Sequence, residues 1–367
     1  MIPFFDLKTQ QTKLKSQIQN NISKVLSHGQ YILGPEVDEL EERLVAYTGA
    51  KYCITCANGT DALQVALMAI EVGPGDEVII PSFSYIATAE AVKLLGATPI
   101  FVDVNLEDFN INPDEIEQKI STKTRAIIPV SLYGSPANFK VINAIADKYG
   151  LCVIEDAAQS FGSSYFNTKS CNLSTIACTS FFPTKPLGCY GDGGAIFTSD
   201  TELAASIRKI ARHGQVKKYY HDRVGVNSRL DTIQAAILLA KFSLLDWEIK
   251  KRGSIAEYYS SRMGTFSSIN APCINKNIKS AWALYTIRCK NRDDLKKYLF
   301  DNGIPSNIYY PMPLYQQNAL FDHSIKHKNS ERLCSEVISI PINASFTLDE
   351  QDQIINLILD FYEKSQN

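Results

Sequence analysis

Three short stretches of this 367-residue chain combine residue types and spacings that could do chemistry. In Thr179-Ser180-Phe181-Phe182-Pro183-Thr184-Lys185-Pro186-Leu187-Gly188, a lone lysine stands between two prolines, and Gly191-Asp192-Gly193-Gly194 follows shortly after. Proline fixes φ, so a lysine so placed after an aromatic strand is held in position and poorly solvated. Desolvation lowers an amine's pKa and makes it a nucleophile able to form a Schiff base. An ordinary surface lysine would be spelled no differently. In Val153-Ile154-Glu155-Asp156-Ala157-Ala158-Gln159, an apolar strand runs into two carboxylates where the chain should leave a sheet. Ligands gather at the carboxyl ends of strands in open α/β folds, so Asp156 is a candidate to face something cationic, while Glu155 points to the other face. A strand-end acid also serves as a helix cap. In Ala57-Asn58-Gly59-Thr60-Asp61, a strand gives way to a helix, and the free N–H groups at such a turn, with the helix dipole and the Thr60 hydroxyl, can hold a phosphate. A plain N-cap accounts for the same residues.

Taken together, the three supply a phosphate cradle, a strand-end acid and a constrained amine. That is the set needed to hold pyridoxal 5′-phosphate, whose phosphate needs donors, whose aldehyde needs an amine, and whose ring nitrogen needs an anionic partner. Asp156 and Lys185 are separated by about one strand–helix–strand crossover, so both can reach one cavity.

The elements that must position these residues are legible in the hydropathy pattern. Strands are expected at 52–56, 77–80, 98–102, 124–129, 152–155, 178–182 and 194–198, and helices at 61–71, 84–95, 113–120, 138–149 and 202–211. This alternation implies a largely parallel, buried sheet with helical crossovers. After Arg229 a long helical stretch is expected to link this unit to a smaller α+β one, with a strand at 284–288, a helix at 292–302 and a terminal helix from Leu348. The boundary is placed between 1–245 and 246–367.

Composition excludes several classes. With 45% apolar residues the chain can bury a large core, and its 37 basic against 39 acidic residues, formal net charge −2, lack the basic excess of a nucleic-acid binder. No apolar run is long enough to span a membrane and no secretory leader opens the chain, so a soluble, cytoplasmic protein is expected. Nine scattered cysteines argue against a disulfide framework. Cys53 and Cys56 form a C-x-x-C inside a strand, where residues three apart point to opposite faces, and His323 and His327 stand at helical spacing without further ligands, so no metal site is expected. Arg212, Lys217, Lys218 and Arg223, near His213 and His221, form a basic stretch that could meet a diphosphate or a uronate but reads more simply as a solvated charge run.

The segments ANGTDAL, PSFSYIATAEAV, VIEDAAQSFG, TSFFPTKPLGCYGDGGAIFT and HGQVKKYYHDRVGVNSRLDTIQAAIL closely resemble the DegT/StrS-type pyridoxal-phosphate-dependent sugar aminotransferases, and the resemblance runs nearly end to end from FFDLKTQ. It implies the aspartate aminotransferase fold type I, with a large cofactor-binding domain on a mainly parallel sheet and a smaller α+β C-terminal domain. It also implies transfer of an amino group from L-glutamate to a nucleotide-linked keto sugar, in a homodimer with shared active sites. Within the family the sequence is most similar to enzymes that aminate C3 of a UDP-linked 3-keto-N-acetylglucosaminuronic acid in O-antigen assembly. A dTDP-3-keto-6-deoxy or UDP-4-keto sugar, a dehydratase, and a non-catalytic regulator remain alternatives.

Carried over residue by residue, the resemblance makes Lys185 the lysine that binds the aldehyde and Asp156 the partner of the ring nitrogen. Gly59, Thr60 and Ser180 match the phosphate-binding positions, Tyr85 the aromatic residue against the ring, and Gln159 a polar residue near the ring's phenolic oxygen. Asn227 resembles the asparagine that reaches the phosphate from the neighbouring subunit, and Arg229 the arginine beside it at the substrate mouth. Where many relatives carry His-Tyr-Pro near the sugar nucleotide, this chain has Tyr309-Tyr310-Pro311, with a tyrosine that donates a hydrogen bond but is not cationic near neutral pH. A sister branch replaces the lysine with histidine and removes a hydroxyl, so Lys185 places the chain on the aminating side.

Overall fold

The computed structural model describes residues 2–264, 266–322 and 324–364, so His323 lies outside the described residues. Seven strands build the central sheet: β1 (Tyr52–Cys56), β2 (Glu77–Pro81), β3 (Thr98–Val102), β4 (Thr124–Ile127), β5 (Cys152–Asp156), β6 (Ile176–Ser180) and β7 (Gly194–Thr198). Their order is β1-β7-β6-β5-β4-β2-β3. Only β7 runs against its neighbours, and the other pairings are parallel.

Alternate residues of each strand feed two cores, which is why the strands read as continuous apolar runs. On one face Ile54, Cys56, Val78, Ile80, Ile154 and Cys178 pack under α3 (Gly59–Ala69), α4 (Ala87–Leu94) and α6 (Thr201–Ile210). On the other, Cys53, Ala177 and Phe197 meet α2 (Pro35–Thr48) and α7 (Thr232–Phe242), while Ile79, Ile127 and Val153 meet α5 (Phe139–Tyr149). Cys53 and Cys56 therefore sit in different cores. All nine cysteines are unpaired, and no cluster of three metal-ligating side chains occurs among the described residues.

The helical stretch after Arg229 is two helices. Beyond α7 the chain tightens into i→i−3 bonds, Ser243 N–H to Ala240 O at 3.4 Å and Leu244 N–H to Lys241 O at 3.0 Å, and Ser243 Oγ donates to Ala240 O at 2.8 Å. This break turns α8 (Leu245–Met263) toward a second core. There β8 (Ile269–Asn270), β9 (Tyr285–Cys289) and β10 (Val337–Ile340) form an antiparallel sheet packed on α8, α9 (Arg292–Asp301) and α10 (Leu348–Lys364). Ile2 joins that core, ahead of α1 (Leu7–His28). The expected helix at 113–120 is one α-turn, Pro113–Ile116, that passes into a 3₁₀ turn. Among the described residues no helix is long and apolar enough to cross a membrane.

Candidate active site

The parallel strands β1, β5 and β6 end on the same edge of the sheet, and the three chemistry-bearing segments emerge there side by side. Gly59, Thr60, Tyr85, Asp156, Gln159, Ser180, Lys185 and Tyr309 line one cavity of about 550 Å³, within the range of small-molecule and cofactor sites.

Asn58 caps α3, its side-chain oxygen accepting from Asp61 N–H at 2.9 Å. Gly59 and Thr60 are the first two helical residues, so their N–H groups have no acceptor within the helix. Cap and cradle are thus the same structure: Asn58 satisfies Asp61 and leaves the outermost donors facing the cavity. A Cβ on Gly59 would lie 2.8 Å from Ser180 Cβ, so only glycine lets the helix start come this close to the end of β6.

Asp156 is the last residue of β5 and is buried. It accepts from Thr88 Oγ1 at 2.9 Å and from Ala158 N–H at 3.2 Å. Burial pushes its carboxyl above the usual range, and these two bonds and the Lys185 charge oppose the shift. Glu155 points to the opposite face, where Ser170 Oγ at 2.5 Å and Cys171 N–H at 3.0 Å donate to it. Burial without a cation raises Glu155 to about 7.

Lys185 sits in a turn closed by its own N–H donating to Phe182 O at 2.9 Å. Gly188 makes that turn possible, because a Cβ there would fall 2.6 Å from the carbonyl oxygens of both Phe182 and Pro183. Desolvation lowers the pKa of the Lys185 amine, with the Asp156 charge pulling the other way. A buried acid and a desolvated amine thus share the cavity with a row of free phosphate donors, and this donor set fits pyridoxal phosphate end to end.

Comparison with known proteins agrees with this geometry. The model of the DegT/DnrJ/EryC1/StrS aminotransferase family matches residues 12–359. This chain belongs to that family. The aminotransferase is 56% identical, over 94% of its own length and 95% of the relative's, to the UDP-2-acetamido-2-deoxy-3-oxo-D-glucuronate aminotransferase of Pseudomonas aeruginosa. It superposes with a TM-score of 0.95 on a DegT/DnrJ/EryC1/StrS aminotransferase from Brucella abortus, at 43% identity over 98% of this chain and 99% of that one. Against NtdA of Bacillus subtilis with bound cofactor PMP the TM-score is 0.92, at 32% identity over 99% of this chain and 85% of that one. The mixed sheet with one reversed strand is therefore the fold type I architecture.

The remaining candidate residues fall in two groups. Tyr85, outside helix α4 and exposed at the cavity wall, faces Tyr310 with ring centroids 6.2 Å apart. Gln159 is buried, and its Oε1 accepts from Tyr133 N–H at 2.8 Å, so its amide nitrogen is the end that meets Tyr310 Oη at 3.2 Å. Gln159 thus lines the cavity with its amide nitrogen, which carries two hydrogens, bonded to Tyr310. Tyr309 packs its ring against Phe4 and Tyr310. Asn227 and Arg229 are not among the residues lining this cavity: Asn227 is exposed, its backbone bridging to Arg212, and Arg229 is half-buried. The basic stretch forms an exposed hairpin, Gln215–Lys217 with Tyr220–His221, where Lys209 pairs with Asp222 at 3.0 Å and Arg223 donates to Ser206.

Sequence reasoning missed Thr88 and Tyr310. Thr88 lies three residues after Tyr85 in the first turn of α4, on the helical face of the same segment, and that spacing was the available signal. Tyr310 was visible only as a neighbour of Tyr309, because its contact with Gln159 joins residues far apart in the chain.

Proposed function

We propose that this protein uses pyridoxal 5′-phosphate to move an amino group from L-glutamate to C3 of UDP-2-acetamido-2-deoxy-3-oxo-D-glucuronate, as a cytoplasmic step of O-antigen or related surface-polysaccharide assembly. The observation that carries the reading is the shared cavity of Lys185, Asp156 and the start of α3. The 56% identity to the Pseudomonas enzyme supports the choice of sugar.

Bound there, the cofactor supplies an aldehyde for the amine and an electron sink that makes an adjacent C–H bond acidic. The N–H groups of Gly59 and Thr60 and the hydroxyls of Thr60 and Ser180 hold its phosphate. Asp156 keeps the ring nitrogen protonated, and Thr88 and Ala158 fix that carboxylate in place. Tyr85 would pack against the ring, and the Gln159 amide would hydrogen-bond near its phenolic oxygen. Lys185 Nζ, with its lowered proton affinity, would take the proton from the donor's α-carbon and deliver it to the cofactor's former aldehyde carbon, and would carry a proton in the opposite sense, onto the sugar carbon, in the second half-reaction. Tyr309 donates a hydrogen bond to the sugar nucleotide.

Asn227 and Arg229 are assigned to the neighbouring subunit's site, which makes a homodimer the working unit, and the chain divides near residue 245 into cofactor-holding and smaller parts. The test is the reverse half-reaction, in which candidate amino-sugar nucleotides are incubated with the cofactor-loaded enzyme and 2-oxoglutarate and the products weighed by mass spectrometry. Turnover of the UDP-3-amino uronate is expected. An inert UDP-3-amino uronate beside a consumed dTDP-linked or 4-amino sugar would remove this choice of substrate.

A further inference from the structure

Behind the Lys185 turn lies a second, smaller cavity of about 70 Å³, lined by α1, α7, α8 and the chain at 342–345. It shares Phe5, Thr184, Lys185 and Ala283 with the main cavity, so the two adjoin at the reactive lysine. Its lining carries four cationic side chains, Lys13, Lys185, Lys241 and Arg252, against two carboxylates, Asp6 and Glu248.

Two of the cations are deeply placed and poorly matched. Lys241 is only 3% exposed, and its ammonium meets the ring of Tyr190 at 5.1 Å. Burial holds its amine at about 8, with Glu248 and Cys189 opposing the shift. Arg252 donates through Nε to Ala281 O at 3.1 Å, and its Nη1 stands 3.8 Å from Glu248 Oε2, beyond hydrogen-bond range. Arg252 Nη2 is buried and has no hydrogen-bond partner. The other oxygen of Glu248 is already taken by Gln10 Nε2 at 2.7 Å. Water could fill unused hydrogen bonds here but would bring no second anion to Lys241 and Arg252, which share Glu248, and a buried charge short of counter-charge is costly.

We propose that Lys241 and Arg252 form a binding site for one carboxylate-sized monoanion directly behind the Lys185 turn. The volume accommodates a halide or a single carboxylate group. Two sources present that chemistry. One is a free monoanion from solution. The other is the distal carboxylate of a dicarboxylic amino donor reaching past Lys185, and that source rests on the transamination reading above.

The experiment uses bromide as a heavy probe and acetate as a carboxylate probe on the whole protein. Crystals soaked in bromide are expected to show an anomalous peak within hydrogen-bonding reach of Lys241 Nζ and Arg252 Nη2. Acetate, titrated at ionic strength held constant with gluconate, is expected to raise the melting temperature of the wild type and to leave Lys241→Met unmoved. Arg252→Lys, which keeps charge but loses the fork, should bind acetate with roughly tenfold lower affinity, the scale of one charged hydrogen bond. If the donor's carboxylate is the occupant, KM for L-glutamate rises about tenfold or more in Lys241→Met while KM for the amino-sugar nucleotide holds. An unchanged glutamate KM with the bromide peak present assigns the site to a free anion. Ordered water alone in the bromide-soaked crystals, together with equal acetate responses in wild type and Lys241→Met, would overturn the proposal. Failure of glutamate to donate at all would instead sink the transamination reading and leave the bromide result standing.

Discussion

Replacing Thr88 with valine should move the acid limb of the enzyme's pH–rate profile upward. Thr88 is buried, its Oγ1 donates to Asp156 Oδ2 at 2.9 Å, and Ser84 Oγ, 3.4 Å behind it, completes a short relay. Valine keeps the shape and removes the donor, which leaves Asp156 with the longer bond from Ala158 N–H. A hydrogen bond to an ionised group contributes about 1.5–3 kcal/mol, and one pKa unit corresponds to about 1.4 kcal/mol, so the Asp156 carboxyl should rise by about one to two units. Burial already raises it, and the loss acts in the same direction. With Asp156 protonated, the ring nitrogen loses its anionic partner, so activity that depends on the carboxylate falls at a higher pH than in the wild type. The assay is kcat against pH, alongside a spectrophotometric pH titration of the bound cofactor, with Thr88→Ser as the variant that keeps the hydroxyl. A Thr88→Val enzyme whose kcat and acid limb both match the wild type within about twofold would refute the idea that this bond holds Asp156 ionised.

Other perturbations probe separate parts of the site. Lys185→Ala should retain the cofactor yet show no amino transfer, and full transamination with glutamate would place the reactive amine elsewhere. Gly59→Ala, whose Cβ would lie 2.8 Å from Ser180 Cβ, should weaken cofactor binding about tenfold to hundredfold in reconstitution of the apo-protein, as overpacking costs about 1–3 kcal/mol. Glu155, raised to about 7 by burial, holds its proton in the folded state where the unfolded chain has lost it, so stability should drop as pH climbs from about 5 to about 7. The drop is at most about 3 kcal/mol, and Glu155→Gln should flatten it in urea denaturation series at the two pH values. Mixing inactive Asn227→Ala with inactive Lys185→Ala should restore about a quarter of wild-type activity if each site draws on both chains of a twofold dimer, and no recovery would confine each site to one chain.

The sequence by itself determined the seven strands of the main sheet, since their apolar runs are set by burial on both faces and need no knowledge of neighbours. It also offered Lys185, Asp156 and the Gly59-Thr60 turn as candidates, because each stands out by local chemistry: prolines around an amine, an acid at a strand end, small residues at a helix start; the roles came from the family resemblance. What it left open were quantities that exist only between distant segments. Whether Asn58 caps α3 while β6 brings Ser180 against Gly59 had no answer in the local sequence and was decided by packing. The roles of Thr88 and Gln159 depend on partners 68 and 151 residues away, Asp156 and Tyr310. The break after Phe242 lies within a stretch of helix-favouring residues, and the two cores on either side of it decide its position. The placement of Lys241 and Arg252 belongs to the same class: local sequence shows two ordinary cations on adjacent helices, and only packing buries Lys241 and leaves Arg252 Nη2 without a hydrogen-bond partner. Local pattern fixes which groups a segment carries, while burial and long-range contact fix their charge state and what they face.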